Sequence, residues 1–173
     1  MKKNLVLTGM MGVGKSTIGK KLAKKLKLKF IDTDQIIEVK EKSTIKEIFE
    51  NNTENYFRKV EKKITLEVLK KNNLVIALGG GAFMDALIRK KIKDTSISFW
   101  LDLKEEALLI RLKNVTKRPL LDQNQLEKSI NKIYSERKKI YNESDYRIKC
   151  NSMNKNEIVY KIIKLYESSR NKV

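Results

Sequence analysis

An α/β fold, in which a five-stranded parallel sheet is flanked by helices in three layers, is what the sequence predicts, and three observations predict it. Short, continuous apolar runs recur at residues 5–7, 74–78 and 96–101, as expected of strands buried on both faces. Stretches of helical apolar periodicity lie between such runs, and strands alternating with helices argue for a parallel sheet covered on both sides. The first run leads directly into Gly9-Met10-Met11-Gly12-Val13-Gly14-Lys15-Ser16, a glycine-rich loop in the strand, loop, helix context that gives this pattern a mechanism.

The elements follow in order. Residues 5–7 form the first strand. Ile18, Leu22, Ala23 and Leu26 recur at helical spacing among lysines and predict an amphipathic helix over about residues 15–27. Residues 29–32 read as a short second strand. Residues 35–71 hold neither glycine nor proline, and the periodicity of Ile45, Ile48, Phe49, Phe57, Val60, Ile64, Leu66 and Leu69 predicts two or three helices there. That is long for a simple crossover and points to an inserted segment that holds a substrate, about residues 34–71. A strand at 74–78 ends in Gly79-Gly80-Gly81, and another follows at 96–101. After a helix near 104–112, residues 113–124 are polar and carry the only proline, Pro119, as expected of a mobile lid. A helix over about 125–141, a last strand at 146–150 and a helix over about 155–169 complete one predicted domain spanning residues 1–173.

With 173 residues the chain is long enough to bury a real core, but too short for the tandem motor domains of helicases. The formal charge of +18 attracts polyanions without defining a site. The lysines are scattered along the chain, so no specific nucleic-acid partner is expected. The seven arginines are more telling, because a planar guanidinium offers a fork that lysine lacks. A single cysteine, Cys150, excludes an intrachain disulfide and reads as a small buried side chain. Met1-Lys2-Lys3 and the apolar residues after it imitate a secretory signal, but cleavage there would remove the glycine-rich loop. No segment approaches the length needed to span a bilayer. The expectation is a soluble, cytoplasmic monomer.

The chemistry starts at the loop. Its glycines let consecutive backbone N–H groups curl around phosphate oxygens, Lys15 reaches the outer phosphates, and Ser16 takes a position on Mg²⁺. The positive end of the following helix adds to the site. This predicts a nucleoside triphosphate user of the P-loop NTPase type. Asp32 and Asp34, two apart at the end of a strand, face one side, toward the crevice at the carboxyl edge of the sheet. One is suited to hydrated Mg²⁺ and the other to an acceptor hydroxyl; capping the next helix is the alternative use. Glu54, Arg58 and Glu61 are spaced to touch on one helix face. Three consecutive glycines at 79–81 fit a backbone that must approach something closely. Arg118, on the predicted lid, is the type of residue that stabilises a migrating phosphoryl group, and Arg137 stands to return to the same crevice. Asp102 imitates the strand-end metal aspartate of many P-loop ATPases, but no second acid follows it, so it ranks below Asp32.

Taken together, GMMGVGKST, DTD at 32–34, FRKVE at 57–61, GGGA at 79–82, RPLL at 118–121 and Arg137 resemble the shikimate kinase family, in order and over nearly the whole chain. The resemblance implies transfer of the ATP γ-phosphoryl group to the 3-hydroxyl of shikimate, in the chorismate route to aromatic amino acids. It implies that Gly12, Val13, Gly14, Lys15, Ser16, Thr17, Arg111 and Arg118 serve ATP, with Arg111 near the adenine. Ser16 would bind Mg²⁺, and Asp32 would assist through water. Asp34 would orient the acceptor hydroxyl, Arg58 and Arg137 would clamp the carboxylate, and Gly79, Gly80 and Gly81 would line the substrate. Lys15, Asp34 and Arg118 would carry the catalysis. Two departures stand out: Thr53 replaces the family's usual glycine before Glu54, and Ser152-Met153-Asn154-Lys155 stands where Arg and Pro are common. Two other readings remain at this stage, a sugar-acid kinase such as a gluconate kinase and a nucleic-acid-binding P-loop protein.

Overall fold

The computed structural model describes residues 4–113 and 125–170. Five strands, β1 (Asn4–Thr8), β2 (Lys29–Asp32), β3 (Leu74–Ala77), β4 (Ser96–Asp102) and β5 (Tyr146–Lys149), form one sheet in the order β2-β3-β1-β4-β5. Every neighbouring pair is parallel, with Leu5 opposite Val75 on one side of β1 and Ile97 on the other. The central strands β1, β3 and β4 are buried at every position, which is why apolar residues dominate them. The edge strands β2 and β5 are partly exposed, and their apolar signal is correspondingly weaker.

Helix α1 (Lys15–Leu26) starts at the glycine-rich loop and ends at Lys27, which adopts a left-handed conformation. The glycine-free stretch contains three helices, α2 (Thr33–Glu41), α3 (Ile45–Asn51) and α4 (Glu54–Leu69). Capping supplies the breaks that glycine and proline do not. Thr44 and Glu47 form a capping box at the start of α3. Thr53 Oγ1 accepts the Tyr56 amide at 3.2 Å at the start of α4, so the threonine in place of the family's glycine is an N-cap. A buried asparagine opens β1: Asn4 Nδ2 donates to the Lys71 carbonyl at 2.7 Å, and its Oδ1 accepts the Leu74 amide at 3.1 Å. This ties the end of α4 to the start of β3.

For residues 82–95 the sequence predicts no element. They hold a short 3₁₀ turn (Ala82–Met84) and α5 (Ala86–Thr95). Their signal was Asp85, whose carboxylate caps the Leu87 and Ile88 amides, followed by the core pair Ile88 and Ile92. Helices α6 (Glu105–Leu112), α7 (Leu126–Tyr141) and α8 (Lys155–Arg170) fall within two residues of expectation. The predicted lid lies outside the described residues, apart from Lys113. Among the described residues, no helix is long and apolar enough to cross a membrane.

Candidate active site

The loop after β1 is shaped by three glycines at positive φ, Gly9, Gly12 and Gly14. Gly9 also has no room for a side chain, since a Cβ there would lie 2.6 Å from the Leu101 carbonyl oxygen. The loop therefore turns tightly against β4 and delivers Lys15, at the first position of α1, back into its own concavity. Lys15 is 9% exposed, and its Nζ donates to the carbonyls of Gly9 at 2.8 Å and Met10 at 2.9 Å. A buried ammonium is thus held at the position where phosphate oxygens would be received.

Next to it, the Ser16 hydroxyl donates to Asp32 Oδ2 at 2.5 Å, while Asp32 Oδ1 accepts the Asp34 amide at 3.1 Å and caps α2. Asp32 is therefore the N-cap of α2 through one oxygen, while its other oxygen faces the loop. The hydroxyl and carboxylate are hard oxygen donors of the kind Mg²⁺ accepts. Among the described residues no group of three or more histidine, cysteine or acidic side chains is arranged to hold a metal. An ion here would draw its other ligands from phosphate and water, as Mg²⁺ usually does.

Two clefts border this loop. The first is lined by Met11, by an apolar wall of Ile45, Phe49 and Phe57, and by a charged wall of Asp34, Arg58, Glu61 and Arg137, with Gly80 and Gly81 beside them. Helices α2, α3 and α4, the glycine run after β3, and α7 all contribute to it. Arg58 Nη1 donates to Glu61 Oε2 at 2.6 Å, and its Nε and Nη2 donate to Glu54 at 3.2 and 3.0 Å. Its guanidinium lies against Gly81, where any Cβ would collide with it. Arg137 Nη1 donates to the Gly80 carbonyl at 3.1 Å. Two guanidinium forks therefore face one cleft, an arrangement suited to a carboxylate.

Glu61 is the residue that sequence reasoning undervalued. Its spacing predicts contact with Arg58 on one helix face and says nothing of burial, yet its side chain is 3% exposed. Burial pushes its carboxyl above the usual range; the Arg58 guanidinium opposes this and the neighbouring Asp34 charge reinforces it. Gly79 explains how the two acids fit. A Cβ on Gly79 would lie 2.5 Å from Asp34 Oδ1 and 2.7 Å from Glu61 Oε1. Its amide does not face the cleft but donates to the buried Thr33 hydroxyl at 2.9 Å. The triple glycine was the available signal that side chains crowd this turn.

The second cleft is bordered by Gly12, Val13, Gly14, Thr17, Arg111 and the segment from Met153 to Asn156. Arg111 Nη1 donates to the Val13 carbonyl at 3.0 Å, which places a cation beside the outer face of the loop. Asn154 Oδ1 accepts the amides of Asn156 and Glu157 at 2.8 and 3.1 Å and so caps α8. Cys150 borders this cleft too, but it is buried and its thiol is pushed up to about 12, chiefly by burial. It is a packing residue, inert as a nucleophile at neutral pH. Asp102 is committed elsewhere: its oxygens accept the Tyr134 hydroxyl at 2.7 Å and the Arg147 guanidinium at 2.7–2.8 Å. Arg118 lies outside the described residues.

Comparison with known proteins agrees with this geometry. A family model described as shikimate kinase matches residues 11–167. The chain is 41% identical over 161 residues to a shikimate kinase of Persephonella marina, covering 93% of this chain and 97% of that one. It superposes on a shikimate kinase from Acinetobacter baumannii in complex with shikimate with a TM-score of 0.93 and 34% identity, covering 98% and 95% of the two chains. A shikimate kinase structure from Aquifex aeolicus gives a TM-score of 0.85 and 32% identity, covering 96% and 98%. Sequence and fold are thus shared along almost the full length, and the chain belongs to the shikimate kinase family.

Proposed function

We propose that this chain transfers the γ-phosphoryl group of ATP to the 3-hydroxyl of shikimate, with the acceptor in the cleft between α2, α4 and α7 and the nucleotide in the cleft beside Arg111. The observation that carries the proposal is that the two clefts meet at one phosphate-binding loop, with the Arg58 and Arg137 forks in the first and Gly12 to Gly14 in the second. A kinase needs its acceptor and its phosphate tail on either side of the transferred group, so that attack is in line.

The residue roles follow from local chemistry. Arg58 and Arg137 take the acceptor carboxylate, with Glu61 and Glu54 holding the Arg58 fork in orientation. Asp34 accepts a hydrogen bond from a ring hydroxyl and orients it; an ordinary aspartate is a weak base at neutral pH, and a loose transition state asks more for positioning than for proton removal. Lys15 and the loop amides receive the outer phosphates. Thr17 and Arg111 border the nucleotide, and the assignment of Arg118 to the phosphates rests on the family resemblance. Bound Mg²⁺ would neutralise charge on the phosphates, held by Ser16 and, through water, by Asp32. Glycines at 79–81 let the chain pass close to the acceptor between bulky charged groups. The same reading has a monomeric cytoplasmic enzyme acting on two small molecules, and the scatter of its lysines supports the lack of a specific nucleic-acid partner.

The test is a panel of acceptors with ATP and Mg²⁺. Phosphorylation of shikimate and not of gluconate is expected; the reverse preference would overturn the assignment of the acceptor cleft.

A further inference from the structure

Tyr141, at the end of α7, went unnoticed in the sequence, and its surroundings give it a task. It is fully buried. Its ring packs between Phe83 and Trp100, with centroids 6.4 and 6.0 Å away, and its hydroxyl donates to the Gly80 carbonyl at 2.5 Å. Arg137, one helical turn earlier, donates to the same oxygen at 3.1 Å. The carbonyl has two lone pairs, so both are engaged from a single face of α7. Gly80 also abuts the phosphate loop: a Cβ there would lie 3.4 Å from the Met11 amide nitrogen and 3.7 Å from Arg137 Nη1.

We infer that Tyr141 is a positioning residue for the acceptor, fixing the Gly80 peptide and, through their shared carbonyl, the guanidinium of Arg137. The inference rests on the reading of the first cleft as the acceptor site. Arg137 gives one N–H to the carbonyl and also interacts directly with the Tyr141 side chain, so Tyr141 steadies the guanidinium while its other donors serve the acid. The Gly80 backbone meanwhile stays between the loop and the cleft. Burial pushes the hydroxyl up to about 12, with Arg137 pulling the other way, so it is a proton donor throughout the neutral range. Without the hydroxyl, Gly80 would be tethered by Arg137 alone, and Arg137 by a peptide free to rotate.

The test is Tyr141→Phe, which retains the packed ring and so the fold. Shikimate affinity is measured by calorimetry, and steady-state constants are measured for both substrates. The expected result is a five- to tenfold loss in shikimate affinity and a matching rise in its KM, with kcat within about threefold and ATP affinity within about twofold of wild type. In an Arg137→Lys background the same substitution should weaken shikimate binding by less, because both residues act on one carbonyl. Unchanged shikimate affinity, equal weakening of both substrates, or factors that simply multiply in the double variant would each overturn the inference. Failure of the wild type to bind shikimate would instead remove the acceptor reading itself.

Discussion

Asp34 and Glu61 bring their carboxylates together at Gly79, so close that a methyl group on its α-carbon would sit 2.5 Å from one and 2.7 Å from the other. Two acids, one of them buried, are thereby held beside two arginines at the acceptor cleft. Gly79→Ala should displace at least one carboxylate by a fraction of an ångström or more. A drop of about 100-fold in kcat/KM for shikimate is expected, since small misplacements have costs of that order. The ATP affinity of the folded variant, measured by calorimetry, should stay near wild type.

Glu61 gives a pH signature. Its carboxyl is raised above 4.5 in the folded protein, first by burial, so from about that pH upward to the folded value the folded state binds more protons than the unfolded one. Stability contributed by the protonated acid is present below the unfolded pKa and is lost as pH rises through the folded one. Glu61→Gln lacks this loss. Melting temperatures of the two proteins compared from pH 4.5 to neutrality should therefore shift steadily in favour of the variant. A shift in favour of wild type would mean that the Arg58 pairing outweighs burial.

Asp32 separates capping from metal binding. Asparagine caps a helix about as well as aspartate, whereas alanine costs about 1 kcal/mol. Asp32→Asn should keep its stability within a few tenths of a kcal/mol and yet need more Mg²⁺ for half-maximal rate, while Asp32→Ala loses both. Magnesium titrations alongside urea unfolding would check this, and an unchanged magnesium requirement in Asp32→Asn would restrict Asp32 to its cap.

Asp102 is assigned to structure. Arg147→Met would leave the buried Asp102 carboxylate with Tyr134 as its remaining side-chain donor. Because Arg147 is itself 40% exposed, the loss should fall below the range for fully buried pairs, at about 2 kcal/mol. The KM values for both substrates should stay within about twofold of wild type. A selective rise in the KM for ATP would return Asp102 to the nucleotide site.

Much of this was legible in the sequence, for identifiable reasons. The central strands declared themselves because burial on both faces favours apolar residues, with polar ones such as Asn4 and Ser98 kept where they find hydrogen-bond partners, and the phosphate loop because backbone amides around phosphate require glycine at fixed spacing. Helix α5 was less visible: Asp85 and the pair Ile88 and Ile92 are weak signals in a short segment interrupted by Arg89, Lys90, Lys91 and Lys93. Glu61 and Tyr141 were hidden for another reason. Their importance lies in partners distant in sequence, Asp34 and Gly80, and helical spacing reports only neighbours on the same helix. Spacing did not separate the cap from the other uses of Asp32, because one of its oxygens caps α2 and the other accepts the Ser16 hydroxyl.

The most direct measurement is the initial rate of ADP release at saturating Mg²⁺ and ATP, with and without shikimate, together with the phosphorus spectrum of the product. The two-cleft arrangement predicts that release depends on shikimate and yields a phosphate ester at its 3-position. Release at the same rate without shikimate, or no release from protein shown to be folded, would contradict it.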